Sequence, residues 1–93
     1  MKKRIIVACG GAVATSTVVA YKVVNLCKEN DIEVDIIQCR ISEIANNLTG
    51  VSLIMPTSRV NRDYGIPVIS GMPFISGVGE EELKSKILDV LKK

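Results

Sequence analysis

The pattern at the start of the chain constrains the fold most strongly. Residues 3–8 form a short apolar run rich in β-branched side chains, and the run leads directly into Cys9 and two glycines. Residues 16–30 then carry apolar side chains at helical spacing on one side and polar side chains on the other. A strand buried on both faces, followed by an amphipathic helix, is typical of βαβ units with a parallel sheet.

The same alternation of strand and helix patterns continues along the chain. Further strands are predicted at residues 33–38, 51–55 and 66–69, and further helices at residues 41–47 and 80–91. Such alternation indicates an α/β domain, and right-handed crossovers leave few topologies for it. We expect one three-layer domain over residues 1–93, with helices on both faces of a four-stranded parallel sheet in the order 2-1-3-4.

Ligands of such sheets bind at the carboxyl ends of the strands, near the point where the strand order reverses. The loop after the first strand is expected at that edge. Cys39, Arg40 and residues 56–61 are expected there as well, because they follow the second and third strands.

The composition argues against several classes of function. Twelve basic and ten acidic residues give a net charge of +2, and only three side chains are aromatic, so no nucleic-acid partner is expected. The chain has no histidine, which removes Ser-His and Cys-His catalysis and most zinc sites. We therefore expect no metal and no cofactor. No apolar run approaches the ~20 residues that span a bilayer, so no direct membrane insertion is expected.

Three cysteines without a CxxC pair indicate neither a disulfide framework nor a metal knuckle, and they favour a reducing, cytoplasmic setting. Cys9 is the candidate nucleophile. Cys27 falls on the apolar side of the first helix and is predicted to be a core residue. Cys39 is predicted to be a buried small hydrophobe; the alternative is a redox-active thiol near Cys9.

The segment after Cys9 has the features of an anion-binding loop. Glycines allow positive φ, so that successive backbone N–H groups can point to one spot. The helix start adds free N–H groups and a partial positive charge, and Ser16 or Thr17 is predicted to cap it. The alternative is a tight turn with Cys9 as a small core residue. The candidate phosphate-binding residues are Gly10, Gly11, Ala12, Val13, Ala14, Thr15 and Ser16.

This loop differs from other phosphate loops. No lysine follows the glycines, so it is not GxxxxGK[ST], and it is not GxGxxG. A tyrosine-phosphatase loop, C-x5-R, would need arginine where Thr15 stands. Without that guanidinium the loop would hold a phosphocysteine but hydrolyse it poorly, which suits a phosphoryl relay. A small cysteine phosphatase and a non-enzymatic anion-binding regulatory module remain as alternatives.

Three segments resemble a known family, the IIB component of the bacterial phosphoenolpyruvate-dependent sugar phosphotransferase system. They read IVACGGAVATST at residues 6–17, IIQCR at residues 36–40 and GMPFISGVG at residues 71–79. The first is the phosphate loop shared more broadly among IIB proteins, and the other two favour the galactitol-specific type. The resemblance covers essentially the whole chain and implies the phosphatase-like or flavodoxin-like IIB fold.

The resemblance also implies a function. It implies a phosphotransferase in which Cys9 accepts a phosphoryl group from a phosphohistidine of the IIA component. The group then passes to a polyol, galactitol in the matching type, bound by the membrane component IIC. The protein would be cytoplasmic and associated with the membrane through IIC. The absence of histidine agrees with a donor histidine on another protein.

Two further groups are candidates for partner docking. Arg59 and Arg62 lie in the loop after the third strand, where they would dock an acidic partner surface or simply form a solvated face. Met72 and Phe74 place apolar side chains in a loop. An exposed docking patch for IIA or IIC and a flap packed on the core are both open for that loop.

Overall fold

The computed structural model describes residues 3–10, 13–57 and 64–92, and for residues 13–16 the backbone alone. Three strands and three α-helices are defined in it, together with one 3₁₀-helix at Ile41–Asn46. The strands are β1 (Lys3–Cys9), β2 (Val34–Arg40) and β3 (Val51–Pro56), and the α-helices are α1 (Val13–Glu29), α2 (Pro73–Ser76) and α3 (Glu80–Leu91).

The sheet is parallel, and β1 is its central strand. Strand β1 pairs with β2 over its whole length, from Lys3 beside Val34 to Cys9 beside Arg40. It pairs with β3 on its other side. The positions Ile5 to Ala8 are fully buried, as expected for an apolar run covered on both faces.

The prediction of four strands in the order 2-1-3-4 is wrong. The described residues form a three-stranded sheet in the order β2-β1-β3. The predicted fourth strand makes only an isolated parallel bridge, between Val68 and Ile54 of β3. Around it, Ile54 N–H donates to the Pro67 carbonyl at 3.0 Å and Ile69 N–H donates to the Ile54 carbonyl at 2.9 Å. Pro67 has no N–H and restricts the residue before it, so the ladder cannot extend.

The sheet has a hydrophobic core on each face. On one face, Ile5, Val7, Leu53 and Met55 pack against α1, α3 and Phe74 of α2. The core on the other face is smaller. There the 3₁₀-helix contributes Ile44 to a cluster with Ile6, Ala8 and Ile54. The predicted helices on both faces are therefore present, although the second face is covered by a 3₁₀-helix.

The first helix begins earlier than the sequence predicted. Helix α1 starts at Val13 rather than at residue 16, so Ser16 and Thr17 lie inside the helix and not at its cap. The prediction followed the preference of hydroxyl residues for caps, but Ala14 is a strong helix former and nothing after the glycines prevents an earlier start.

Among the residues described, no helix combines the length and apolar character that a bilayer crossing requires.

Candidate functional site

All three strands end at the same edge of the sheet. Cys9 is the last residue of β1, Arg40 the last of β2 and Pro56 the last of β3. In the two registers Cys9 is the partner of Arg40, and Ala8 is the partner of Pro56. This edge is the one at which parallel sheets bind ligands.

Cys9 lies where the central strand meets the loop to α1. Its side chain is 3 % exposed, while Gly10 directly after it is an exposed bend. A thiol at this position is held rigidly by the strand. The sulfur is therefore fixed at the edge of the sheet, directly before the loop.

The loop after Cys9 leads directly into α1. The first turn of α1 contains no acidic residue, so no carboxylate there opposes an anion at the helix start. That first turn consists of Val13, Ala14, Thr15 and Ser16. Their first N–H groups have no intrahelical partner and are the donors that a helix start offers to an anion. Gly11 and Ala12 lie outside the described residues.

Thr57 fixes the peptide group that precedes Cys9. Its backbone N–H donates to the Ala8 carbonyl at 2.8 Å, and its hydroxyl donates to the same carbonyl oxygen at 3.2 Å. Thr57 is 9 % exposed and stands just beyond the end of β3. Thr57 was expected at the ligand-binding edge, but its bond to Ala8 could not be predicted, because the two residues are 49 positions apart in the chain.

A second contact ties α1 to the sheet beside the loop. The Thr17 hydroxyl donates to the Gln38 carboxamide oxygen, at 3.3 Å. Gln38 belongs to β2 and is the register partner of Val7 in β1. The contact links the second turn of α1 to strand β2, and no local sequence pattern predicts it.

The three cysteines have different surroundings. Cys27 is fully buried in the larger core, as predicted, and burial raises the pKa of its thiol. Cys39 packs with Ala8 on the other face of the sheet, whereas Cys9 follows the alternation to the face of α1. Burial raises the pKa of Cys39, and the nearby charges of Glu43 and Cys9 raise it further. Cys39 is half-buried rather than buried, and strand alternation directs its side chain to the face opposite that of Cys9. Its interpretation as a small apolar residue, with a redox-active thiol as the alternative, stays a prediction.

No group of three or more His, Cys, Asp or Glu side chains that could hold a metal is found in the described part of the chain. Among the described residues, this edge brings together the Cys9 thiol, a glycine bend and the start of a helix. It suits a nucleophile that carries a phosphoryl group, with backbone N–H donors around its oxygens.

Comparison with known proteins gives the family. A family model described as the lactose/cellobiose-specific IIB subunit of the phosphotransferase system matches residues 4–86. The chain belongs to the IIB family of the sugar phosphotransferase system. As a member, it is a phosphotransferase and the phosphoryl-carrier component of such a system.

Two relatives match nearly the whole chain. A galactitol-specific EIIB component from Escherichia coli O157:H7 is 55% identical over 93 residues, covering 99% of both chains. The galactitol-specific EIIB component of Escherichia coli strain K12 is 54% identical with the same coverage. The solved lactose-specific IIB domain of Streptococcus pneumoniae has a TM-score of 0.62 at 16% identity, covering 99% of this chain and 93% of that one. That likeness shows the IIB fold, which is not the fold of P-loop proteins.

The candidate docking residues of this IIB chain differ in their exposure. Arg59 and Arg62 lie outside the described residues. Met72 is 42 % exposed, whereas Phe74 is 2 % exposed and belongs to the core. Of the two alternatives for this loop, a docking patch and a flap packed on the core, the burial of Phe74 favours the flap for that side chain. Its ring anchors the loop as a flap, because α2 packs it against the sheet and α1.

Proposed function

We propose that Cys9 is the residue of this IIB chain that carries the phosphoryl group, accepting it from a phosphohistidine of IIA. The acceptor is a polyol, galactitol, bound by the membrane component IIC. The position of Cys9 carries the proposal: it ends the central strand, beside a glycine bend and the start of α1. The choice of galactitol is supported by the names of relatives that are 55% and 54% identical over the full chain.

The chemistry consists of two displacements at phosphorus. In the first, the Cys9 thiolate attacks the phosphorus atom, an S–P bond forms, the N–P bond breaks, and the electron pair returns to the imidazole of IIA. In the second, a hydroxyl oxygen of the polyol attacks the same phosphorus atom. The S–P bond then breaks, the thiolate is regenerated and the hydroxyl proton leaves to a base or to solvent.

The loop supplies the stabilisation. Backbone N–H groups from Gly10 to Ser16 would donate to the phosphoryl oxygens, and the positive end of α1 favours their negative charge. The reaction needs no cofactor, since both displacements exchange one phosphoryl group between nucleophiles. The IIB domain comprises residues 1–93 and works in the cytoplasm, meeting the membrane through IIC. Arg59, Arg62 and Met72 are the docking candidates that remain in this proposal.

The proposal is tested by phosphorylation of three serine variants. Wild type, Cys9→Ser, Cys27→Ser and Cys39→Ser are mixed with the upstream phosphoryl donors, and intact mass and peptide mapping locate the added group. Cys9→Ser is expected to accept none, because a serine hydroxyl stays protonated near neutral pH. Cys39→Ser is expected to accept a full phosphoryl group on Cys9.

Cys27→Ser is the matched control for a change of the same atoms in the core. It should keep acceptance on Cys9 but lower the free energy of unfolding by about 1–3 kcal/mol, because it buries a hydroxyl. Full phosphorylation of the Cys9→Ser protein on another residue would refute the assignment. Release of phosphate from p-nitrophenyl phosphate would instead favour a phosphatase.

A further inference from the structure

We infer that Arg40 supplies the positive charge that the loop itself lacks, by contacting the phosphoryl group while it is bonded to Cys9. The inference rests on the proposed function, since it names a further residue of the same site. Strand β2 would then contribute a side chain that binds the phosphoryl group, in addition to its pairing in the sheet.

The register places the two side chains next to each other. Cys9 and Arg40 are partners in the parallel pair formed by β1 and β2. Neighbouring strands lie about 4.8 Å apart, and partners in register project to the same face. An arginine side chain is long enough to cross that distance and to reach beyond the sulfur of its neighbour.

The alternation along β2 shows which face this is. Val34 and Ile36 pack in the core on the α1 side, whereas Ile37 and Cys39 pack on the opposite face. Gln38 returns to the α1 side, where it accepts a hydrogen bond from Thr17. Arg40 is the next residue on that side.

Cys9 is on the same face. Ile5 and Val7, which precede it at alternate positions of β1, both pack in the core on the α1 side. The guanidinium of Arg40 and the sulfur of Cys9 therefore project from neighbouring strands toward the start of α1, where a phosphoryl group on the sulfur would lie.

The guanidinium is available for such a contact. Arg40 is exposed, and in the described part of the chain its side chain takes part in no ion pair. Arg4 and Lys22, by contrast, pair with Asp35 and Glu80. The backbone of Arg40 is held, because its N–H donates to the Glu43 carboxylate at 2.9 Å.

A phosphoryl group on Cys9 would gain further stabilisation from a cation of this kind, in addition to the N–H groups of the loop. The group carries a charge of about −1.5 to −2 and three acceptor oxygens. Position 15 of the loop is threonine, so the loop offers no guanidinium of its own. Arginine presents a planar fork that binds two phosphoryl oxygens at once, and a compact ammonium does not reproduce that geometry.

The test is the equilibrium constant for phosphoryl transfer from phospho-IIA to Cys9. A residue used only for docking changes the rates in both directions but leaves this constant unchanged, because free reactants and free products do not include the complex. Arg40→Gln is expected to lower the constant about tenfold, through loss of a charge-assisted hydrogen bond. Arg40→Lys should fall between the two proteins.

Lys28→Gln is the matched control, since it removes one positive charge from the far end of α1. It should leave the constant unchanged, and circular dichroism should show all variants folded. If wild type accepts a phosphoryl group on Cys9 and Arg40→Gln leaves the constant within twofold, the inference is wrong, even where the rate falls. If wild type accepts none on Cys9, the proposed function is wrong, and the inference with it.

Discussion

The position of Cys9 in the fold distinguishes it from the other two cysteines. Cys27 is surrounded by core side chains and Cys39 packs against the far face of the sheet, and burial raises the pKa of both. The raised pKa lowers the thiolate fraction, and with it the reactivity, of both cysteines. Cys9 alone ends the central strand at the edge where α1 begins.

A single glycine keeps the flap close to α1. A Cβ added at Gly71 would lie 2.8 Å from Cγ1 of Val19, which is fully buried and cannot move aside. The Gly71 N–H also donates to the Pro56 carbonyl at 2.9 Å, so the backbone there is tied to the end of β3. We predict that Gly71→Ala lowers the free energy of unfolding by about 1–3 kcal/mol, measured by urea denaturation.

The same substitution in a Val19→Ala background isolates the cause. Truncation of Val19 removes both atoms that lie closer than 3.4 Å to the added Cβ. Gly71→Ala should then cost clearly less than in wild type, and the double-mutant cycle should give a favourable coupling. An unchanged cost would mean that the backbone of Gly71, and not the contact with Val19, sets the requirement for glycine.

At the level of elements, α1 is joined to α3 by one ion pair beside the flap. Lys22 Nζ lies 2.8 Å from Oε1 of Glu80, the first residue of α3, and 6.0 Å from the centre of the Phe74 ring. The hydrogen bond from Lys22 is the main cause that holds the pKa of Glu80 below its usual value. The pair therefore connects three helices on the α1 side of the sheet.

This ion pair predicts a dependence of stability on pH. Because the pKa of Glu80 is lowered in the folded state, its carboxylate stabilises the fold above the usual pKa, and that contribution is lost as pH falls through the lowered pKa. Glu80→Gln should lower the urea midpoint at pH 7. The difference from wild type should shrink as pH falls through that lowered pKa.

Glu82→Gln is the matched control for this effect. Glu82 lies in the same first turn of α3, so both variants lose a similar interaction with the helix dipole. Its own partner, Lys86, is 3.6 Å away on the exposed side of the same helix. Glu82→Gln should change the midpoint less than Glu80→Gln does, and equal effects would show that the link between helices adds nothing.

Local sequence patterns predicted most elements, and long-range pairing explains the exceptions. The final helix was predicted at residues 80–91, where α3 lies, because its apolar stripe and charges are local features. The run at residues 66–69 has strand composition, but Pro67 limits its pairing to one bridge. The same distinction between local patterns and long-range pairing applies to the candidate site. Cys9 and its glycines stand out in the sequence, whereas Thr57 and Arg40 gain their roles from strands brought together by the sheet.

At the scale of the whole molecule, the proposed function implies that both partners use one edge, because Cys9 is the single proposed carrier. Under that proposal, IIA and the polyol in IIC each bring a reacting atom to Cys9 from the side of the strand ends. The two cannot occupy that edge together, so the protein must leave one partner before meeting the other. Transfer is therefore expected to pass through a free phosphorylated form of this chain.

The most direct test isolates that form. The phosphorylated protein is freed of phosphoenolpyruvate and of all upstream donors, and is then mixed with membrane vesicles that contain IIC and galactitol. The account predicts that each phosphoryl group lost from Cys9 appears as one galactitol phosphate, and that loss is slow without the vesicles. Loss as inorganic phosphate at the same rate with and without vesicles, and no galactitol phosphate, would contradict it.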